Sequence, residues 1–357
     1  MRLLDRIAQT RTPLLVACGS QVMRLPSAAD YASTVSTCPL RLVLTEALTR
    51  VCASLAYAEG DRLAGCLDLI HFPATRLWVE WPDRPRREVV AAALGLPFPD
   101  DAESNGLAGI YLTTDASGRR GTARTFWGAP DGTSDPSLAP LVTDFDLDAE
   151  PRSADPIDAV FRGASARVRS DDVALETLLD SLRFRFDPAW AAYYRTEFPS
   201  PSAREAVLRA SLATVGTDLP VLFALCLLLS SRMRLPERRP DISRLNRRRV
   251  REGRPALLDH VVMTVPVLSA YSVEPRHEGD PRRMPRLHHV RGHLVRRGSQ
   301  VFWRVPHLRG RAAFGHLRAR NVTIRFEPRG PIPRAGWSSD DRPAASSREL
   351  ASSAPGG

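Results

Sequence analysis

Histidine and arginine crowd one stretch of this sequence that contains no carboxylate: Arg286 to Gly310 reads RLHHVRGHLVRRGSQVFWRVPHLRG. Metal-independent cleavage of RNA needs one histidine as base, another as acid and a cation at the phosphate. His289, His293 and Arg291 have these residue types at close spacing. A ribonuclease that uses this histidine pair is therefore one hypothesis for the function.

The same two histidines are badly spaced for a metal ion. On a strand, His289 and His293 would lie about 13 Å apart at ~3.3 Å per residue. One ion cannot reach both, and the stretch offers no carboxylate as a further ligand. We therefore predict no metal site and no cofactor.

Binding a polyanion without chemistry places fewer demands on geometry. It needs arginine forks, neutral histidine donors and a ring on which a base can stack, such as Phe302. Pro281 to Phe326 holds twelve Arg, five His and no acid. Because a guanidinium stays charged and its planar fork fits phosphate or carboxylate, the pattern favours a nucleic acid or an acidic protein as partner. The residues predicted to contact that partner are Arg248, Arg251, Arg254, Arg291, His293, Arg304, His307 and Arg309.

A β-hairpin is the element that would position this stretch. Leu287–Arg297 and Gln300–Pro306 alternate between apolar and polar residues, and Gly298 leads a two-residue turn between them. In that register Leu294 faces Trp303. The predicted core face carries Val290, Leu294, Val301, Trp303 and Val305. The opposite, cationic face carries His289, Arg291, His293, Val295, Phe302 and Arg304.

A second basic cluster precedes the hairpin. A short helix is predicted around Ser243–Glu252, with Gly253 as its C-cap and Pro255 preventing its continuation. An ordinary surface helix with a defined end is an equal alternative. Its basic ridge consists of Arg247, Arg248 and Arg251. The residues given structural roles in the two clusters are Trp303, Gly253, Pro255, Gly292 and Gly310.

Charge is unevenly distributed along the chain. All 50 basic residues among the 357 are arginine, and the net charge is +10. Arg232 to Phe326 holds 23 arginines against seven acidic residues, a net charge of +16. The remainder is acidic, and Asp131–Asp158 alone has eight carboxylates and one arginine. The surplus attracts an external polyanion, is neutralised by that acidic segment, or forms a solvated face; the first is the leading interpretation.

Cysteines and apolar runs restrict the class of protein. Five cysteines without a CxxC pair indicate reduced core thiols and argue against a disulfide framework or a zinc site. The longest apolar run, Val221–Leu229, is far shorter than the roughly 20 residues that span a bilayer. We expect a cytoplasmic protein of a bacterial host, with no membrane partner.

Periodicity in the remaining sequence predicts an α+β fold with a central helical layer. Leu40–Ala58 has helical spacing. The predicted strands of a small, mostly antiparallel sheet are Arg76–Trp81, Leu107–Thr114, Thr122–Gly128 and Leu138–Leu147. A helix capped by Asp171 and Asp172 and running to Leu182 follows. Two more helices are predicted over Ala203–Thr214 and Leu219–Met233, separated near Gly216 and Pro220, and then a strand over His260–Val267.

Five segments follow from this pattern. They are an N-terminal α+β unit (1–150), a linker (151–170), a helical layer (171–240), a basic C-terminal module with the hairpin (241–326) and a disordered tail (327–357).

Three motifs resemble a family of proteins from phages, prophages and conjugative elements. They are WVEW at Trp78–Trp81, LNRRRVREGRPALLDHVVMTV from Leu245 and HHVRGHLVRRGSQVFWRVPHLRG from His288. The most specific positions are Leu245, Asn246, Arg249, Gly253, Arg254, Pro255, Arg291, Gly292, His293, Trp303, Pro306, His307, Arg309 and Gly310. The chain departs from the family at Leu294-Val295, where members often carry Trp-Arg. The family includes a type V-A anti-CRISPR inhibitor that acts on biosynthesis of its target nuclease. The resemblance therefore implies a mobile-element protein with a basic C-terminal module.

The leading hypothesis is an accessory protein of a mobile element that binds RNA, a ribonucleoprotein or an acidic host protein, without catalysis and in the manner of an anti-CRISPR protein. Two alternatives stay open. One is the metal-independent ribonuclease of His289, His293 and Arg291. The other is a structural or assembly protein of the element, whose N-terminal unit carries the partner surface.

Overall fold

One large sheet organises the fold, and helices pack on both of its faces. The α+β class is confirmed, but the sheet has ten strands within the described residues, so the prediction of a small sheet is wrong. The computed structural model describes residues 1–10, 15–18, 21–24, 29–57, 63, 65–94, 98, 106–129, 135–148, 182–187, 196, 198, 200–231, 235–265, 286–290, 293–304, 307–309 and 311–317.

Strands of the sheet come from most of the chain. They are β1 (Leu15–Cys18), β2 (Gln21–Arg24), β3 (Leu40–Leu44), β4 (Arg76–Pro82), β5 (Leu107–Thr114), β6 (Arg120–Gly128), β7 (Ser137–Asp146), β8 (Leu182–Phe186), β9 (Glu237–Arg238) and β10 (Val261–Met263). Their order is β2-β1-β7-β6-β5-β4-β3-β10-β9, and β8 pairs with β7. The pairs β1–β7, β3–β4 and β3–β10 are parallel and the others antiparallel. The sheet exceeds the four predicted strands because β1, β2 and β3 belong to it, as do β8, β9 and β10 from beyond residue 150.

Helices cover the two faces unequally. The described α-helices are α1 (Leu3–Gln9), α2 (Ala29–Ser36), α3 (Glu46–Tyr57), α4 (Asp83–Leu94), α5 (Pro201–Ser230) and α6 (Ser243–Arg251). Helices α3, α4 and α5 pack on one face, the α5 face, and α1 and α2 on the other, the α1 face. Alternation along β4 buries both faces, because Val79 and Trp81 point to the α5 face and Trp78 to the α1 face.

Strand predictions in the first half of the chain are confirmed. β5 has the predicted bounds, and β4, β6 and β7 differ from prediction by one or two residues at an end. Gly118 lies in the turn between β5 and β6 with φ +67°. A Cβ at Gly118 would also lie 2.8 Å from the Phe72 carbonyl oxygen, so this turn requires glycine.

The predicted helix Leu40–Ala58 is wrong at its beginning. Leu40–Leu44 is β3, which pairs with β4 on one side and β10 on the other. The helix begins only at Glu46, and the Leu48 N–H donates to Thr45 Oγ1 at 3.4 Å just before it. A short apolar run fits a helix or a buried strand equally, so the partner strands decide between them.

The two helices predicted over Ala203–Thr214 and Leu219–Met233 are one helix, α5, which runs unbroken through Pro220. Proline costs a helix interior about 3 kcal/mol. Burial offsets this cost, since each large apolar side chain fully removed from water contributes ~1.5–3 kcal/mol. The apolar residues from Leu219 to Leu228 are at most 1% exposed, which confirms that this part of the helix is buried on all sides.

Several predictions concern residues outside the described part of the chain: the helix after Asp171, the linker 151–170 and the tail 327–357. Leu182, predicted to end that helix, lies in strand β8. β10 is shorter than the predicted strand His260–Val267. Among the described helices, none combines the length and the apolar character needed to cross a bilayer.

Elements on both sides of residue 240 share the sheet and its core. β10 lies between β3 and β9. Leu294, Val301 and Trp303 of the predicted hairpin belong to the hydrophobic core of the α5 face. The division of the chain at residues 150, 170, 240 and 326 stays a prediction.

Candidate nucleic-acid interface

The predicted hairpin is present, and its register is confirmed. Its arms are β11 (Arg286–Val290) followed by β12 (His293–Arg297), and β13 (Gln300–Arg304) followed by β14 (His307–Arg309). Leu294 faces Trp303, and the same register continues between β11 and β14. Gly298 makes the turn with φ +59°. A further strand, β15 (Arg311–Leu317), pairs with β11 and adds to the predicted two-stranded unit.

Contacts of its core face fix the hairpin on the fold. Leu294, Val301 and Trp303 are buried in the core of the α5 face, as predicted. Arg296, near the turn, donates to both carboxylate oxygens of Asp68, at 2.9 and 2.8 Å, and also to the Gly65 carbonyl. Because these contacts hold one face against the core, the other face points away from it.

The outer face of the hairpin is cationic with an apolar centre. It consists of His293, Val295, Arg297, Gln300, Phe302 and Arg304. Arg297 and Arg304 are exposed, and Val295 and Phe302 are half-buried and face each other across the strands. No carboxylate is present among these six residues, and the binding role predicted for them stays a prediction.

Some predicted site residues are placed only partly. His289, His307 and Arg309 are located by the backbone of β11 and β14, whereas three lie outside the described residues: Arg291, Gly292 and Gly310. The acid–base pairing of His289 with His293 therefore stays a prediction. Within the described residues, no group of three or more His, Cys, Asp or Glu side chains is arranged to hold a metal ion.

Polar contacts hold helix α6, and none of its side chains is buried. Asn246 accepts the Leu257 N–H at 2.8 Å and donates to the Leu257 carbonyl at 3.0 Å. Arg249 Nε donates to the Pro255 carbonyl at 2.9 Å. These bonds tie the helix to the loop that follows it, so its orientation is fixed without a contribution to the core.

Gly253 ends α6 as predicted. Its φ is +68°. The Gly253 N–H donates to the Val250 carbonyl at 3.0 Å and the Arg254 N–H to the Arg249 carbonyl at 2.8 Å, which is the Schellman arrangement. A Cβ on Gly253 would meet nothing within 4 Å, so the left-handed backbone alone favours glycine here.

The outward side of α6 has an arc of arginines, flanked by the exposed side chains of Leu245 and Val250. At about 3.6 residues per turn, Asn246 and Arg249 occupy the side that makes the fixing contacts. The opposite arc is the arginine ridge, whose exposed members are Arg244, Arg247, Arg248 and Arg251. Arg244 extends the predicted ridge by one turn. Its signal in the sequence is its spacing of three, four and seven residues to the other members.

Few carboxylates lie near the ridge. Arg248 pairs with Glu252 at 2.7 Å, with side chains 72% and 37% exposed, and Arg254 lies 3.7 Å from the same Glu252. Exposed pairs of this kind contribute little stability. Hydrogen bonds from Ser243, with the charge of Arg247 nearby, hold the pKa of Asp241 below its usual value. Among the described residues, the acids near the five arginines of α6 are thus Asp241, Glu252 and Asp5, whose charge interacts with that of Arg249.

The acidic segment Asp131–Asp158 does not neutralise these surfaces through the carboxylates whose ion pairs are described. Asp144, Asp146 and Asp148 pair with Arg185, Arg120 and Arg119 at 2.7, 3.1 and 2.7 Å, respectively. Arg296 is an exception in the basic region, because Asp68 neutralises it. Among the described side chains, this pair lowers the uncompensated charge below the value that the sequence indicates.

The two cationic surfaces lie on opposite faces of the sheet. The hairpin packs on the α5 face. The loop after α6 packs on the α1 face, where Leu258 contacts the core and its N–H donates to Asp5 Oδ1 at 2.7 Å. Arg249 also reaches Gln9 of α1 at 3.5 Å. The arginine ridge and the outer face are therefore separate surfaces despite their nearness in sequence.

Comparison with known proteins assigns neither a family nor a function to this chain. No family model, curated protein or solved structure matches the chain. The resemblance to the mobile-element family stays a prediction, and function has to be inferred from the surfaces themselves.

A separate group of charged side chains is buried on the α5 face of the sheet, between α4, α5 and β6. Arg86 donates to both oxygens of Asp83, at 2.6 and 3.0 Å, and its Nε lies 3.1 Å from Asp218 Oδ1. Trp127 Nε1 donates to Asp218 Oδ2 at 2.9 Å. Burial raises the pKa of Asp218 to about 7, although the charge of Arg86 opposes the shift. The cluster ties α4, β6 and α5 together, and the pairing of its members was not predicted from the sequence.

Proposed function

We propose that this protein binds a polyanion, RNA or a ribonucleoprotein, through the arginine ridge of α6. The observation that carries the proposal is a helix of nine residues with no buried side chain, whose outward arc has four exposed arginines flanked by the exposed Leu245 and Val250. The proposal includes no catalytic step.

The ridge costs stability that the exposed pair of Arg248 with Glu252 recovers only in part. Arg244 with Arg247, Arg244 with Arg248, Arg247 with Arg251 and Arg248 with Arg251 are like-charge neighbours on successive turns. Each such pair is unfavourable by ~0.2–0.5 kcal/mol, or about 1–2 kcal/mol together. The helix dipole offsets part of this in the last turn but disfavours Arg244 in the first. A bound polyanion would make the net electrostatic energy favourable at all four arginine pairs.

Spacing along the ridge suits a phosphate backbone. Arg244 and Arg251 are separated by about 10.5 Å along the axis at 1.5 Å per residue. One strand of a duplex places a phosphate every ~3.4 Å of helix axis, so the ridge spans about three phosphate intervals, or about four phosphates. Guanidinium forks bind such oxygens in pairs, and they would bind the carboxylates of an acidic host protein by the same geometry.

The mobile-element origin of the protein and its location in the cell are proposed on other grounds. The motif resemblance alone supports a mobile-element protein, with anti-CRISPR-like action as one form of it. A cytoplasmic location is supported by the reduced-thiol pattern of the cysteines.

Binding of labelled RNA and DNA to the purified full-length chain tests the proposal. We expect submicromolar to micromolar binding in ~50 mM salt that weakens steeply as salt is raised. Absence of any salt-dependent binding to RNA or DNA would remove nucleic acid from the proposal and leave the acidic protein as partner.

A further inference from the structure

The four arginines of the ridge form a rhombus on α6 and not a single row. At about 3.6 residues per turn, Arg244 and Arg251 lie within ~20° of each other around the helix and ~10.5 Å apart along its axis. Arg247 and Arg248 lie ~100° apart around the helix but only ~1.5 Å apart along the axis. The first two are the axial pair and the other two the lateral pair. The lateral pair therefore places one arginine on each side of the line that joins the axial pair.

Both flanks of α6 are accessible to a ligand. Leu245, on the same flank as Arg248, is 46% exposed, and Val250, on the same flank as Arg247, is 61% exposed. Arg247 is exposed as well, and the side chain of Arg248 is 72% exposed although it pairs with Glu252. The lateral pair can therefore contact groups on both sides of the helix at once.

The lateral pair sets the width of the cationic surface. On a helix ~10–12 Å across with its side chains, an arc of ~100° spans about 8–9 Å. A single strand that runs along the axis passes both lateral arginines at nearly the same height, so it must bend sideways to place a phosphate at each. A duplex already holds two rows of phosphates on the two sides of a groove. Because ordering a flexible ligand weakens its binding, the rhombus favours a duplex over a single strand.

Duplex RNA suits this surface through its backbone. Its major groove is deep and narrow, so side chains cannot reach the base edges in it. The phosphate rows that border a narrow groove lie close together, and a helix that stays outside the groove can contact both rows. Contacts to phosphates fix a protein on a duplex without reading the base sequence.

We infer that the arginine ridge binds double-stranded RNA across its major groove, with Arg247 and Arg248 on phosphates of opposite strands. This inference rests on the proposed function of the ridge and narrows its ligand to paired segments of RNA. The axial pair, Arg244 and Arg251, extends the contact along the groove. Affinity therefore depends on the geometry of the duplex and not on its base sequence.

Three probes and the full-length protein test this inference: a blunt RNA duplex, one of its strands alone, and a DNA duplex of the same sequence. The wild-type chain should bind the RNA duplex more tightly than the single strand by about 2- to 13-fold, the effect of immobilising one flexible group, and more tightly than the DNA duplex. Arg247→Ala/Arg248→Ala should lower the ratio of duplex to single-strand affinity. Arg244→Ala/Arg251→Ala, which removes the same charge from the same helix, should leave that ratio unchanged. No side chain of α6 is buried, so both variants should keep the wild-type melting temperature.

The opposite outcomes separate this inference from the proposed function. The same ratio in both variants would overturn the contact of the lateral pair with two strands, and the ridge proposal would stand if both variants still lost affinity for RNA. Wild-type binding to the DNA duplex as tight as to the RNA duplex would show that the narrow groove of RNA is not what the ridge recognises. Preference for the single strand would overturn the inference outright. A wild-type chain that binds none of the three probes would overturn the ridge proposal together with it.

Discussion

Replacing Arg247 and Arg251 with alanine tests the ridge through the salt dependence of RNA binding. For a single strand, the logarithm of the binding constant falls with the logarithm of salt concentration by about 0.7 for each phosphate contact. Four ridge arginines that each neutralise one phosphate contribute a slope of about −2.8. The double variant keeps two of the four contacts and should contribute about −1.4.

Fluorescence anisotropy of a labelled single-stranded RNA measures both slopes. Raising the salt from ~50 to ~200 mM should weaken the ridge contribution about 50-fold in the wild type and about 7-fold in the double variant. Contacts elsewhere on the protein add the same slope to both proteins, so the difference between the two slopes is the tested quantity. Neither side chain is buried, so the fold should be unaffected.

A variant with the same charge change provides the control. Arg120→Ala/Arg185→Ala removes two exposed arginines that already pair with Asp146 and Asp144 on the main sheet. Its slope should equal that of the wild type. A ridge variant with an unchanged slope, or a control that loses as much slope as the ridge variant, would refute the assignment of the contact to α6.

Three further predictions concern the framework, and one concerns catalysis. Gly253→Ala should lower the free energy of unfolding by about 1–2 kcal/mol in urea denaturation, the cost of a Cβ in left-handed backbone; no loss would contradict the described end of α6. Trp303→Ala should cost about 3–5 kcal/mol and speed amide exchange in β12 and β13; unchanged protection would contradict its core role. Burial raises the pKa of Asp218 from 3.8 to about 7, so the folded state binds this proton more tightly and stability falls as the pH rises through that interval. Asp218→Asn should remove the part of that fall which comes from Asp218. A variant whose stability keeps the wild-type pH dependence would contradict the raised pKa of Asp218. The ribonuclease hypothesis predicts RNA cleavage in EDTA that disappears in His293→Ala; cleavage that survives this substitution would exclude His293 as the acid or base.

Local chemistry decides which elements the sequence can predict. The hairpin register is predictable because Gly298 fixes a two-residue turn and alternating apolar residues fix the buried face. The strand Leu40–Leu44 is not predictable, since five mostly apolar residues are too few to show a period that separates a strand from a helix. Pro220 suggests a helix boundary, and only the burial of the following apolar run in the assembled core overrides it.

For the candidate site, the sequence likewise predicts which residues form each surface but not where the surfaces lie in the fold. The ridge is visible in sequence because helical spacing collects its arginines on one arc. The separation of the ridge from the hairpin is not visible in the sequence, because it depends on the contact of Leu258 with Asp5, which lies 253 positions earlier in the chain. The buried pairing of Asp218 with Arg86 is likewise a tertiary event, and a single acidic residue before an apolar run is its one local signal.

Capture of the full-length chain from its host, with and without RNase, tests the central claim most directly. The account predicts that RNA is recovered with the wild-type chain and that RNase treatment removes it. It also predicts that a variant with alanine at Arg244, Arg247, Arg248 and Arg251 recovers none. Recovery of a protein partner that resists RNase and is retained by that variant, with no RNA present, would contradict the account.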